Sequence, residues 1–523
     1  VYGIHKPKFT AVNLRESDYI VNLGSTLDQE TIDNADNFPK NDVGVESSSW
    51  VFEIPNAFPF MGATFIIKSN ADRTVGGRNP FSVLRNRWLE KRSEPDLQTT
   101  SREVLLTLAS TSTNPEILGK LAEQSCRFSY DEKTRRVSGM VYEKNEMGKF
   151  RPVILDQHLF QILSNNPFLP VVYKRHMVLI PGVQGKSPIV GEYTEGNTHI
   201  WEYLRENSYI PWGHYAANMA HDAVRYKIDS LTQSDMTGLR HLYYQRIYLQ
   251  LAAELDMPVQ VQSRCLTVDE MEDLRLSLLN EIAKRNKSGD HLPFNSILWG
   301  QNFGFDLSSS GYRLAASHQQ IHQQFALVRP DVLAFKQGKN NTSFAAMPTY
   351  AQADQVGQFT RDYRERTKQE FFDTYFKAIR NNKRLDGRRD KESDLVFHQD
   401  ENVIAFVPKA QRSQGEVQIM TKLRCGNIIE TDKKTRNSLD VAILLTMKVL
   451  ENLGVELLSS LEISKRLDNP DSDQRLLYCF LPRHPQSPGG FSEFQQRWIS
   501  NQYPEDFAKV CREEAQNIRE QDG

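Results

Sequence analysis

An α+β fold made of two tandem halves, each an antiparallel sheet with helices packed on it, is the architecture this sequence predicts. Three observations carry that expectation. Gln320, His322 and Gln324 alternate with Ile321, Phe325 and Leu327, the two-residue period of a strand with one polar and one apolar face. Leu239, Leu242, Tyr243, Ile247 and Leu251, and then Met271, Leu274, Leu278 and Ile282, recur at helical spacing. An order of hairpin, loop and long helix then returns after residue 395.

Residues 1–200 read as an N-terminal α+β extension of unassigned role. Trp50–Met61 is an apolar stretch of strand pieces broken by prolines. Thr100-Ser-Arg-Glu103 is a capping-box start, Asn114-Pro115 sets a cap before a first-turn proline, and Arg135–Leu155 reads as two strands around Asn145–Gly148. The first half spans 201–333. Its helices are expected at Ser234–Leu255, ending before Pro258, and after the Thr267-Val-Asp-Glu270 capping box, ending near Gly289; the strand Phe294–Phe303 and the alternating strand follow. Residues 334–394 are a connection. It holds one helix, Gln355–Asn381, with Phe371, Phe372, Tyr375, Phe376 and Ile379 read as core or interface, and a charged linker, Lys383–Asp394. The second half, 395–523, carries strands in Leu395–Phe397, Asp400–Pro408, Gly415–Lys422 and Asn427–Glu430. A helix with Leu439, Ile443, Met447 and Leu450 ends at Gly454, and a final strand is Arg475–Arg483.

Composition excludes several function classes. Lys plus Arg (64) nearly balances Asp plus Glu (66), so no bulk basic field points to nucleic acid. No apolar run reaches the length of a membrane span, and Val1–Lys6 lacks the charged-then-apolar pattern of a signal peptide. Five widely spaced cysteines without a C-x-x-C pair fit a reducing cytoplasm and argue against a cysteine-based zinc site.

The chemistry-bearing residues cluster late in the first half. Asn302-Phe-Gly304, then Ser317, then His322-Gln-Gln324 follow the pattern Asn-x-Gly, spacer, Ser-x-x-His-x-His-x-Gln. The chain thereby resembles the transferase branch of the histidine-triad (HIT) superfamily, which holds galactose-1-phosphate uridylyltransferase and the diadenosine tetraphosphate phosphorylases. Ile210–Thr232, with Gly213-His214, resembles a further stretch of that family. The resemblance implies two unequal HIT-like halves, the first carrying a nucleophile and the second helping to hold substrate. It also implies a homodimer.

On that resemblance the chain is expected to be a nucleotidyltransferase or phosphorylase working by double displacement on a nucleotide sugar or dinucleoside polyphosphate. His322 is the nucleophile, attacking the α-phosphorus, and phosphate or a sugar phosphate accepts the nucleotidyl group. A neutral imidazole, with an ordinary pKa of about 6.5, is competent for this at neutral pH. Gln324 is the catalytic neighbour that marks transferases in the family. Ser317, Asn302, Gly304, Gln320 and His318 are the expected substrate and phosphate contacts. His214 and His221 are weaker candidates for phosphate or base, and Arg225, Arg412, Lys422 and Arg483 for positive charge. Gln320 stands where the family has its first histidine, a metal ligand in zinc-bearing members, so no metal site is expected and no cofactor is required. The Arg475–Arg483 strand has Leu, Tyr and Phe where a triad would alternate.

Two other readings stand beside this one. In the first, water is the acceptor and the chain is a nucleotide hydrolase of the same fold. In the second, motivated by Gln320 and the bare second half, it is a nucleotide-binding or scaffolding protein with a decayed site. His322 alone, without its flanking motif, would read as a structural histidine.

Overall fold

Reciprocal hydrogen bonds start the two long helices of the first half. Thr232 Oγ1 accepts from the Asp235 N–H (3.2 Å) while the Asp235 carboxylate accepts from the Thr232 N–H (2.9 Å), opening α1 (Gln233–Glu254). Thr267 and Glu270 repeat the device for α2 (Val268–Ser288), which Gly289 closes at φ 75°, a left-handed turn that glycine adopts without strain. The structure, a computed structural model, describes short strands before residue 50 and then residues 50–81, 97–178, 228–258, 266–304, 321–333, 346–483 and 492–522, apart from a few positions within those spans.

The body continues through β1 (Ser296–Gly304), β2 (Ile321–Val328), α3 (Gln352–Thr367), α4 (Phe371–Arg380), β3 (Val396–Gln399), β4 (Val403–Phe406), β5 (Val417–Thr421), α5 (Lys433–Asn452), β6 (Leu457–Ile463), β7 (Leu477–Arg483) and α6 (Pro504–Asp522). The seven strands form one antiparallel sheet in the order β2-β1-β6-β7-β5-β4-β3. The halves therefore share a sheet, joined where β1 pairs with β6 from Gly300↔Leu461 to Gly304↔Leu457.

Strand alternation divides this sheet into two cores. Ile297, Trp299, Phe303, Leu458, Tyr478, Phe480, Ile419 and Ala405 face α1, α2, α5 and α6 in the larger one. Ile404, Phe406, Met420, Ile463, Leu477 and Cys479 face α3, α4 and the Phe58–Met61 segment in the other. Phe58 reaches that face on the 3₁₀ turn Pro59–Met61, its ring centroid 5.0 Å from that of Phe371. The strand Trp50–Pro55 pairs with Ala63–Ile67, which pairs in parallel with Arg497–Ser500. Leu97–Met177 forms a separate small core. Among the described residues before 200, Leu97–Met177 thus keeps its own core, while Phe58, Met61 and Phe81 belong to the two cores of the sheet and Ile54, Ile66 and Ala71 pack with Ala410 and Tyr503.

Several expectations are corrected. The single helix expected at Gln355–Asn381 is two, because Lys368 adopts φ 59° and ends α3; α4 restarts with Phe371 and Phe372 buried against the sheet. Lys383–Asp394 is not a solvated linker throughout. The Arg384 guanidinium is buried between Asp386 and Asp506, at 2.9 Å from each, which pins the segment to the start of α6. The capping box expected at Thr100 does not start the helix Arg102–Thr111, whose N-cap, Ser101, makes no side-chain capping bond. Asn427–Glu430 is a turn in which Asn427 Oδ1 accepts the Ile429 and Glu430 N–H groups. β6, third of the seven strands and the one that joins the halves, was not expected.

The larger core encloses a charge. Arg240 on α1 is fully buried; its Nε donates to Asp440 Oδ1 on α5 (3.1 Å) and its Nη2 to the hydroxyls of Tyr244 (3.0 Å) and Tyr478 on β7 (2.7 Å). Its Cζ lies 4.9–5.3 Å from the ring centroids of Tyr243, Tyr244, Trp299 and Tyr478. Tyr243 and Tyr478 donate to Glu462 on β6. Arg240, with Arg436 also acting on Asp440, does not offset the burial of two carboxylates. Burial pushes Asp440 up to about 7 despite Arg240 beside it, and burial likewise raises Glu462.

Removing the cation leaves this cluster unmatched. Arg240→Ala is expected to cost about 3–5 kcal/mol in a urea unfolding titration, the scale for breaking a buried pair from one side. A raised carboxyl pKa favours the fold at low pH and loses that advantage as pH rises. The stability of the wild type relative to Asp440→Asn should therefore fall between about pH 4 and 7 and then level off, as urea midpoints across that range would show.

Candidate functional site

The register of the sheet sets the site. Directly opposed residues in an antiparallel pair share a face, and Asn302 on β1 opposes His322 on β2 and Ser459 on β6. His322, Asn302 and Ser459 thus form one row across three strands, about 10 Å long at roughly 4.8 Å per strand. Gln324 is two residues along β2 on the same face. It opposes Gly300, whose missing side chain leaves space in that row. Asn302 and Gln324 are exposed, and the neighbouring Leu298 is 44% exposed, so this end of the sheet is not covered by α3 and α4.

Arg483, at the end of β7, joins the row from the second half. Its Nε donates to Ser459 Oγ at 3.4 Å. Among the cations named from sequence, Arg412 and Lys422 are spent elsewhere: Arg412 pairs with buried Glu416 (2.7 Å), and the Lys422 ammonium donates to the Asp400 carbonyl. Gly304 ends β1 opposite Leu457. Ser317, His318, Gln320, His214, His221 and Arg225 lie outside the described residues. Asn302, His322 and Gln324 are brought together; Ser459 was missed. Its strand, with Leu458, Ser460 and Glu462 on one side and Leu457, Ser459 and Leu461 on the other, mixes polar and apolar residues on both faces, which hides the two-residue period.

The opposite face of β2 is anchored. Gln323 Oε1 accepts the Trp299 Nε1–H at 3.0 Å, and its Nε2 donates to the Leu239 carbonyl at 3.4 Å, one residue before Arg240. Phe325 packs on Tyr243, ring centroids 5.6 Å apart. The strand bearing His322 is thereby tied to the helix that carries the buried guanidinium. No group of three or more His, Cys, Asp or Glu side chains suited to a metal ion occurs among the described residues, and no helix there is long and apolar enough to cross a membrane.

The chain has an α+β fold whose antiparallel sheet is built from two halves. No family model matches the chain, and neither does any curated protein. Among solved structures it is similar to a GalT-like protein from Arabidopsis thaliana, with 17% identity over 47% of this chain and 68% of that one and a TM-score of 0.31. It is also similar to a uridylyltransferase, with 15% identity over 48% and 69% and a TM-score of 0.34. A third is an ADP-glucose phosphorylase from Arabidopsis thaliana with bound ADP-glucose, with 18% identity over 47% and 65% and a TM-score of 0.31.

Gln323→Leu is expected to strand the indole N–H of Trp299 and to cost about 1–3 kcal/mol, read from the shift in urea midpoint. An unchanged midpoint would show that the strand is held by other contacts.

Proposed function

We propose that the protein is a nucleotidyltransferase or phosphorylase that transfers a nucleoside monophosphate through His322. The observation that carries this reading is the row His322–Asn302–Ser459, with Gln324 beside it and Arg483 at its far end. A nucleophilic imidazole, amide donors and a guanidinium on one open sheet face are what phosphoryl transfer needs, since it depends on positioning and on stabilising charge at the nonbridging oxygens. In the first step an imidazole nitrogen bonds to the α-phosphorus of a nucleotide sugar or dinucleoside polyphosphate. The bond from that phosphorus to its bridging oxygen breaks, and the sugar phosphate or nucleoside polyphosphate leaves. In the second, an oxygen of inorganic phosphate or a sugar phosphate attacks, and the phosphorus–nitrogen bond breaks. Gln324 and Asn302 hold the phosphoryl oxygens, with Ser317 as a further contact, and Arg483 offsets the charge of the diphosphate.

A second reading has its own observation. β7 carries no histidine, and Tyr478, Cys479 and Phe480 on it are fully buried, so this strand offers no nucleophile; together with Gln320 this favours a nucleotide-binding protein that does no transfer.

Intact-protein mass separates the two. After incubation with nucleotide sugars and dinucleoside polyphosphates and an alkaline quench, the wild type should gain the mass of one nucleoside monophosphate and His322→Asn should not. Nucleotide binding with no gain in mass would establish the second reading instead. Arg483→Gln should slow adduct formation in a single turnover by about 10–100-fold, with its melting temperature unchanged, because the exposed guanidinium contributes to charge stabilisation more than to packing.

A further inference from the structure

β3 is the last strand of the sheet, and two arginines of the C-terminal helix α6 reach it. Arg512 Nη1 donates to the carbonyls of Asp394 (3.0 Å) and Val396 (2.9 Å), and its Nη2 pairs with Glu392 at 2.6 Å. Seven residues on, about two helical turns, Arg519 Nη2 lies 2.7 Å from His398 Nδ1. Ile518, beside it, is buried in the larger core. Among the described residues, the Arg519–His398 contact is the hydrogen bond that ties the last turn of α6 to the sheet.

This contact has only one workable polarity. A guanidinium has N–H donors, no acceptor and a charge it does not lose, so Nδ1 must offer its lone pair and the ring must be neutral. Nε2, which then carries the proton, is buried without a hydrogen-bond partner. The charged groups that act on the ring are Arg519 from α6, Asp400 two residues further along the chain, and Lys422 just after β5. Asp400 is already engaged: its carboxylate accepts the N–H groups of Asn402 (2.7 Å) and Val403 (2.8 Å), and its carbonyl takes the Lys422 ammonium. Burial first and Arg519 next hold the imidazole below its ordinary range, with Asp400 opposing them and Lys422 adding to them.

We propose that His398 is a pH-sensitive latch on the end of α6, holding Arg519 when neutral and releasing the last helical turn when protonated. Proton uptake turns the acceptor Nδ1 into a donor and sets two cations side by side, so the bond to Arg519 is lost. The folded chain resists protonation of this ring more than the released chain does. The stabilisation is therefore complete above the ordinary histidine pKa of about 6.5 and falls away as pH drops below it. The latch owes nothing to the chemistry assigned to His322.

Hydrogen exchange of the full chain tests the proposal, read by mass spectrometry on peptides from α6 and α2 at pH 7.5 and 5.5 and corrected for the intrinsic pH dependence of exchange. In the wild type, protection over residues 516–522 should fall about tenfold or more at the lower pH, the scale of a hydrogen bond to a charged group, while α2 stays level. In Arg519→Gln, whose amide can donate to a neutral ring or accept from a protonated one, protection should be the same at both pH values. His398→Asn, which keeps an acceptor and cannot take the proton, should also show no fall. No fall in the wild type, a fall that α2 shares, or an equal fall in either variant would overturn the latch.

Discussion

The buried guanidinium of Arg240 is the constraint on which the rest of this body depends. A charge taken fully out of water has to be met by partners fixed in place, and those partners come from α1, α5, β1, β6 and β7. The first half supplies the cation and the indole of Trp299; the second supplies Asp440, Glu462 and Tyr478. Neither half can close its core alone without leaving part of this cluster unmatched, which is a physical reason for the halves to share one sheet. Apolar contacts could pack the same helices in several registers, whereas the fork of an arginine fits few.

The same cluster reaches the candidate site through two short steps. Trp299 lies over the guanidinium on one side and donates to Gln323 on the other, and Gln323 flanks His322. The anchored face of β2 is held by the hydrogen bonds of Gln323 and the packing of Phe325, while Gln324 on its other face is exposed. A side chain that must meet a reacting atom within a few tenths of an ångström benefits from such a mounting, because its backbone is fixed by groups that take no part in the chemistry.

Much of this was legible in the residues. The capping boxes at Thr232 and Thr267 and the apolar stripes behind them read directly as helices, and the alternation around His322 read as a strand with the correct polar face. What escaped notice has physical causes. β6 carries Ser460 and Glu462 toward the core, where hydrogen bonds satisfy them, so its polarity imitates a surface loop; with it went Ser459. The Lys383–Asp394 run looks solvated because nothing local reveals that Asp506, more than a hundred residues away, neutralises Arg384.

The parallel pairing of Ala63–Ile67 with Arg497–Ser500 has a consequence for how the chain acquires its shape. Its partners are separated by more than four hundred residues, as are the Tyr503 hydroxyl and Asp72, to which it donates at 3.1 Å. During synthesis the segment that presses Phe58 and Met61 onto the sheet emerges long before Arg497–Ser500 and must wait, unsupported along one side, until that strand leaves the ribosome. Contacts closing so long a loop come late and slowly. The cover of the sheet therefore acts as a seal that is set only once Arg497–Ser500 has been made.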